Sequence, residues 1–205
     1  MENTRREHWE KVYTTKQPHE VSWTQQVPVT SLEFIHSFHL PKNAAIIDIG
    51  GGDSRLVDYL LAEGFTNITV LDISAAAIAR AQKRLGEKAA LVKWIVSDIL
   101  DFTPPERYDV WHDRATFHFL TAPEQIASYL AKARQSVNLF LTIGTFSDKG
   151  PDKCSGLPIK KYSEDELDHE LSEGFSKIRC LTEDHVTPFN TKQNFLFCSF
   201  RTLAA

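Results

Sequence analysis

From position 44 onward the chain alternates short apolar runs with segments whose apolar residues recur every three or four positions. Ala45-Ile46-Ile47-Asp48-Ile49 is a near-continuous apolar run that ends in glycines, the pattern of a buried strand followed by a tight turn. Arg55 to Glu63 sets Leu56, Tyr59 and Leu60 on one face and reads as a helix that Gly64 stops. Ile68-Thr69-Val70-Leu71 is a second strand ending at Asp72, and Ser74 suits the N-cap of a helix over Ala75 to Leu85, which Gly86 ends. Leu91 to Val96, Tyr108 to His112 and Val137 to Thr145 read as three more strands. Helices fit Pro123 to Ala133 and Ser163 to Leu171, the latter behind the Ser-x-x-Glu box of Ser163 and Glu166. The last two runs, Lys177 to Val186 and Gln193 to Arg201, are separated only by a turn around Thr187-Pro188-Phe189-Asn190. So short a link joins antiparallel strands, since parallel ones need a long crossover. The pattern therefore predicts an α/β fold: a mostly parallel sheet with helices on both faces, closed by a C-terminal antiparallel β-hairpin.

Ahead of position 44 the pattern differs. Residues 1–43 are polar and spotted with aromatics, with Pro18, Pro28 and Pro41, and only Leu32, Ile35 and Phe38 fall at helical spacing. This segment reads as an N-terminal helical cap or lid, 1–43, in front of a ligand-binding domain, 44–205.

Composition changes the picture little. The 205 residues, 42% hydrophobic and 24% charged, suffice for one well-cored domain without disulfides or metals. A formal net charge of −4 argues against nucleic acid as a partner. Three widely spaced cysteines, Cys154, Cys180 and Cys198, are expected as reduced thiols. No apolar run approaches the ~20 residues of a membrane helix, and the N-terminus lacks the apolar core of a signal peptide. The expectation is a cytoplasmic protein with no membrane partner.

The candidate chemistry sits at the predicted carboxyl ends of the strands, where open α/β sheets bind ligands. Asp48-Ile49-Gly50-Gly51-Gly52-Asp53-Ser54 follows the first strand. Its glycines let the backbone approach a ligand closely, and Asp72, ending the second strand, can accept two hydrogen bonds from a ribose diol. Arg55 stands where a dinucleotide fingerprint wants its third glycine. Asp48 would also repel a pyrophosphate, whereas it suits a cationic ligand.

Asp48-x-Gly50-x-Gly52, Asp72 and Asp98 together resemble the consecutive motifs of the class I S-adenosylmethionine-dependent methyltransferases, over about residues 44 to 200. The resemblance implies a Rossmann-like, seven-stranded sheet and S-adenosylmethionine (SAM) as cofactor. It implies that Gly50 and Gly52 flank the methionine moiety, with Gly51 between them also binding the cofactor. Asp72 would hold the ribose with Ile73 against the adenine, and Asp98 and Ile99 would contact the adenine. It also puts His112 or Asp113 beside the sulfonium. The methyl acceptor would be a nucleophile on a small molecule or a protein side chain such as lysine. A nucleotide-binding oxidoreductase and a non-catalytic SAM-binding module are the alternatives. No Asn-Pro-Pro-Tyr-type base-flipping motif follows the fourth strand.

Trp111-His112-Asp113-Arg114-Ala115-Thr116-Phe117-His118 is the candidate catalytic stretch. His112 and His118 are candidate bases, because imidazole titrates near neutrality, and Asp113 could orient either. The plainer reading is a structural pair of Asp113 with Arg114 and a packed His118. The stretch resembles the Asp-Lys-Gly-Thr segment of some protein-lysine methyltransferases and the Asp-Arg-Gly-Ala segment of small-molecule thiol methyltransferases, with Ala115 at the glycine position. Trp9, Tyr13 and Trp23 are candidate lid residues, and Cys154, His185 and Thr187 could reach the same mouth. No short ligand spacing marks a metal site.

Overall fold

The computed structural model describes residues 2–203. Two helices, α1 (Glu2–Thr15) and α2 (Val29–Ser37), precede the first strand. There follow β1 (Ala45–Ile49), α3 (Leu56–Ala62), β2 (Asn67–Asp72), α4 (Ala75–Leu85), β3 (Val92–Val96), β4 (Tyr108–Arg114), α5 (Pro123–Ser136) and β5 (Val137–Phe146). A small hairpin, β6 (Lys153–Cys154) and β7 (Leu157–Pro158), leads to α6 (Glu164–Leu171), β8 (Phe175–Val186) and β9 (Lys192–Thr202). The main sheet has seven strands in the order β3-β2-β1-β4-β5-β9-β8. All pairings are parallel except β5 with β9 and β8 with β9. This is the mostly parallel sheet with a C-terminal hairpin that the pattern predicts, in the seven-stranded, Rossmann-like form that the resemblance implies.

The strand order reverses between β1 and β4, and the crevice that opens there defines the ligand site of such sheets. All five residues of β1 are buried, as a central strand covered on both faces requires. Ile46 packs with Leu32, Leu56 and Leu60 beneath α2 and α3. Ile47 and Ile49 pack on the opposite face with Trp111, Tyr129 and Leu167, beneath α5 and α6. The predicted caps form: Ser74 Oγ accepts from Ala77 N at 3.1 Å, and Ser163 and Glu166 exchange side-chain-to-backbone bonds.

Two features differ from expectation. Helix α1 has few apolar residues, so its helical character is not evident from periodicity; it is held by docking onto α4. Cys180 and Cys198, expected as reduced thiols, are joined as a disulfide, and Cys154 alone is unlinked. The cause is register: the β8–β9 hairpin places residues 18 apart directly opposite one another, with Cα atoms 4.1 Å apart. No helix among the described residues is long and apolar enough to cross a membrane.

Where β5 pairs antiparallel with β9, Gly144 stands directly opposite Phe197. A Cβ on Gly144 would stand 2.5 Å from the Phe197 ring, whose side chain is fully buried against Phe34 and Phe195. Gly144→Ala is expected to cost about 1–3 kcal/mol through overpacking. Urea unfolding would show it as a lower midpoint at unchanged slope.

Candidate functional site

Each element of the site ends where the parallel strands end. A cavity of about 680 Å³ opens over the carboxyl ends of β1, β2, β3 and β4, within the range of about 300–1,000 Å³ typical of small-molecule sites. Its walls include Asp48, Gly50, Gly51, Asp72, Ile73, Asp98, Ile99 and His112 from the sequence-predicted set. Gly52 lies just behind the wall: a Cβ there would come within 2.6 Å of Asp72 Oδ2. Gly50 and Gly52 have φ of +66° and +36°, a region that favours glycine. A Cβ at Gly51 would stand 2.6 Å from Asp48 Oδ2, so the loop can lie on its own acid only without side chains.

The three acids are buried, and each has a distinct partner. Asp72 accepts from Ser74 N at 2.8 Å through Oδ1. Burial pushes its carboxyl up to about 7, that backbone bond only partly opposing the shift. Asp98 accepts from Leu100 N at 2.9 Å and pairs with Arg5 of α1 at 3.2 Å. Asp48 accepts from His112 Nδ1 at 2.7 Å. The other ring nitrogen of His112, Nε2, lies 2.9 Å from Ser31 Oγ. Carboxylate, imidazole and hydroxyl thus form one buried chain at the cavity wall, because Asp48 and His112 stand in direct register on β1 and β4 and α2 lays Ser31 over them.

The rest of the predicted catalytic stretch divides by strand parity. His112 and Arg114 face the cavity, whereas Asp113 points to the opposite face, towards α5. Asp113 is fully buried and accepts from Tyr129 Oη at 2.8 Å, Thr116 N at 2.9 Å and Phe117 N at 3.1 Å. Burial raises its carboxyl to about 6. It shapes the turn after β4; it neither reaches the cavity nor pairs with Arg114. His118 is also buried away from the cavity, its ring stacked on Phe146 at 4.6 Å. Burial, then the nearby Arg114 charge, lowers it to about 3, so it stays a neutral core side chain. Ala115 has φ of +71°, a left-handed conformation that favours glycine, the residue the resembled segments carry at this position.

Helix α1 crosses the mouth. Glu10 accepts from Ser74 Oγ at 2.8 Å and from Ala76 N at the N-terminus of α4, where unpaired N–H groups and the helix dipole favour an anion. Trp9, Tyr13 and Trp23 all line the cavity, with Trp9 5.5 Å from Trp23 and 5.1 Å from Phe119 between ring centroids. Cys154 also lines it; His185 instead bonds Ser22 O at 2.6 Å. Among the described residues, no three His, Cys, Asp or Glu side chains are grouped to hold a metal ion. Sequence reasoning missed Ser31, Glu10 and Arg5. Their one available signal was polarity within the cap segment, which does not distinguish a site from a solvated face.

Comparison with known proteins agrees with this geometry. The family model described as "Methyltransferase domain" matches residues 47–138. Malonyl-(acyl-carrier protein) O-methyltransferase of Anoxybacillus flavithermus is 36% identical over 58% of this chain and 47% of its own length. The chain thus spans about half of that relative. Human EEF1A lysine methyltransferase 2 is 25% identical over 89% of this chain and 77% of its own length. Among solved structures, the 1,6-didemethyltoxoflavin-N1-methyltransferase of Burkholderia thailandensis superposes with a TM-score of 0.72 at 19% identity. That match covers 98% of this chain and 88% of the other. Residues 47–138 are thus similar to a methyltransferase domain, and the chain as a whole shares the fold of that solved methyltransferase.

Proposed function

We propose that the protein binds SAM in the cavity over β1–β4 and transfers its methyl group to a nucleophile on a small molecule or a protein side chain. The observation that carries this reading is the set of buried acids Asp48, Asp72 and Asp98, brought into one cavity beside a glycine turn. A carboxylate suits a ribose diol, an adenine amine or a cationic ligand, and is ill suited to a pyrophosphate, which sets the oxidoreductase alternative aside. Asp72 Oδ2, not engaged by Ser74, is the acceptor for the ribose hydroxyls, with Ile73 and Ile99 forming the apolar walls for the adenine. Asp98 takes the adenine amine, and Gly50 and Gly51 leave room for the methionine portion. SAM would supply an electrophilic methyl group on sulfur.

The chain's own groups do the remaining work. Trp9, Tyr13 and Trp23, carried by residues 1–43 acting as a lid, exclude water and align the reactants, which supplies much of the rate in an in-line displacement. His112 is the base. Asp48 fixes its tautomer by accepting the Nδ1 proton, leaving Nε2 to take a proton through the Ser31 hydroxyl. Asp113 and His118, expected in catalysis, have no access to the cavity and take no part. A cytoplasmic location belongs to the same reading, as that of an enzyme drawing on an intracellular cofactor pool.

Three outcomes test the reading. Calorimetric titration with S-adenosylhomocysteine is expected to show saturable binding, weakened about tenfold or more in Asp72→Ala, with no binding of NADH; preference for NADH would overturn the cofactor assignment. Against an acceptor found by radiolabelled methyl transfer to metabolite pools and lysate, His112→Gln and Ser31→Ala should lower kcat by about 10²-fold or more while homocysteine-product affinity changes little. Equal losses in both quantities would make the chain structural. Finally, a raised Asp72 means the folded state binds its proton more tightly than the unfolded state. Its contribution to stability is therefore present below about pH 4 and is lost as pH rises to about 7. Asp72→Asn should be more stable than wild type at pH 8, by up to about 4 kcal/mol, with the difference closing near pH 4. Thermal or urea unfolding across that range reads it directly.

A further inference from the structure

Trp23, Phe119, Cys154 and Arg114 form one end of the cavity wall, and of these the proposed reaction uses only Trp23. Cys154 is a poor nucleophile, its thiol pushed up to about 12 by burial. Arg114 is different, because its guanidinium is half engaged. Nη1 donates to Trp23 O at 3.0 Å, and the guanidinium carbon lies 5.0 Å from the centroid of the Phe195 ring. Those two contacts fix the plane of the group. Nε and Nη2 are buried and have no hydrogen-bond partner among the described residues. These two nitrogens form one edge of the guanidinium, the edge that meets both oxygens of a carboxylate. Burial draws Arg114 down to about 10, so it is still a cation at neutral pH.

We infer that this end of the cavity is an anion subsite in which the Nε–Nη2 edge of Arg114 holds a carboxylate carried by the methyl acceptor, an inference that rests on the methyltransferase reading. Buried donors in native proteins are almost always paired, and Arg114, which is part of the cavity wall, carries two that no residue of the chain engages among those described. The charges of Glu183 and Asp48 are both felt at Arg114; Asp48 is engaged by His112, which leaves Glu183 as the internal rival. Its Oε2 accepts from Thr30 Oγ1, while its Oε1, like the Arg114 edge, has no partner among the described residues. The two groups therefore do not complete one another.

The subsite narrows the acceptor. A lysine ammonium brought to this end would face a buried guanidinium of like charge, so an anionic small molecule is the acceptor class and protein lysine is not. A carboxylate on this edge has both oxygens engaged by N–H groups, which makes them weak nucleophiles. It is the handle, and a second nucleophile on the same molecule, towards His112, receives the methyl group. Trp9, Trp23 and Phe119 would cover the apolar body between them.

The test is calorimetric titration of benzoate, indole-3-acetate, benzamide and benzylamine into the protein, alone and loaded with S-adenosylhomocysteine. Benzoate or indole-3-acetate should bind at least ~10-fold tighter than neutral benzamide, and benzylamine should not bind. Arg114→Lys keeps the charge but loses the two-pronged edge, and should cut carboxylate affinity about tenfold; Arg114→Gln should abolish it. If Arg114→Gln fails to fold, the wild-type contrast of benzoate with benzamide still decides. Carboxylates that bind no better than benzamide, or as well to Arg114→Lys as to wild type, overturn the inference. So does carboxylate binding that appears only in Glu183→Gln, which would make Glu183 the resident partner. Failure of S-adenosylhomocysteine to bind while benzoate still depends on Arg114 would fault the cofactor reading and leave the anion subsite standing.

Discussion

Three carboxylates are buried within one cavity, at or just past the carboxyl ends of adjacent parallel strands, and charges removed from water must be paired or hydrogen-bonded. Much of the local architecture is a set of answers to that requirement. Asp48 is given the imidazole of His112, which requires β1 and β4 to be neighbours in register. Asp72 is given the backbone N–H of Ser74, which requires α4 to start immediately after β2. Asp98 is given Arg5 and the N–H of Leu100, which requires α1 to lie across the mouth. The glycine turn follows from the same crowding, because a Cβ at Gly51 or Gly52 would run into the carboxylates of Asp48 or Asp72.

The same requirement ties the cap to the sheet. Glu10 sits on the N–H groups opening α4, beside the very Ser74 whose backbone serves Asp72. Arg5 shares Asp98 with whatever else Asp98 binds. On the proposed reading, residues 1–43 and the cofactor therefore draw on overlapping groups, and ordering of the cap and filling of the cavity are linked. Polar anchoring of this kind also explains why α1 is a helix at all despite its few apolar residues: its aromatic side chains cover the cavity and its charged ones hold the rim.

This distribution explains what could be read from the sequence. The alternation of buried strands and amphipathic helices, the Ser74 and Ser163 caps and the terminal hairpin all rest on local signals, residue spacing and cap chemistry, and the elements form where those signals place them. The acids at strand ends were legible for the same reason, since a strand's terminus is a local fact. Side-chain direction on β4 was not. His112, Asp113 and Arg114 are consecutive, and only the sheet pairing decides that the middle one faces α5 while its neighbours face the cavity. Ser31, Glu10 and Arg5 reach the site across long sequence separations and carry no local mark. The Cys180–Cys198 pair is likewise a consequence of hairpin register, which spacing alone does not reveal.

The turn after β4 shows how a residue outside the cavity can set what the cavity does. Ala115 holds a left-handed conformation that costs a non-glycine residue roughly 1–2 kcal/mol. It is kept there by its own N–H to Gly144 O at 2.8 Å and by Asp113, which gathers the next two backbone N–H groups, of Thr116 and Phe117. That turn leads the chain on along the cavity wall, through Ala115, Thr116, Phe119 and Leu120. The Arg114 guanidinium is left against Phe195 and Trp23 O, with one edge unclaimed by the following residues. Asp113 thus acts on the site through backbone geometry. Its acidity matters less than its ability to accept three hydrogen bonds at once, and its contribution to recognition passes entirely through the placement of its neighbour.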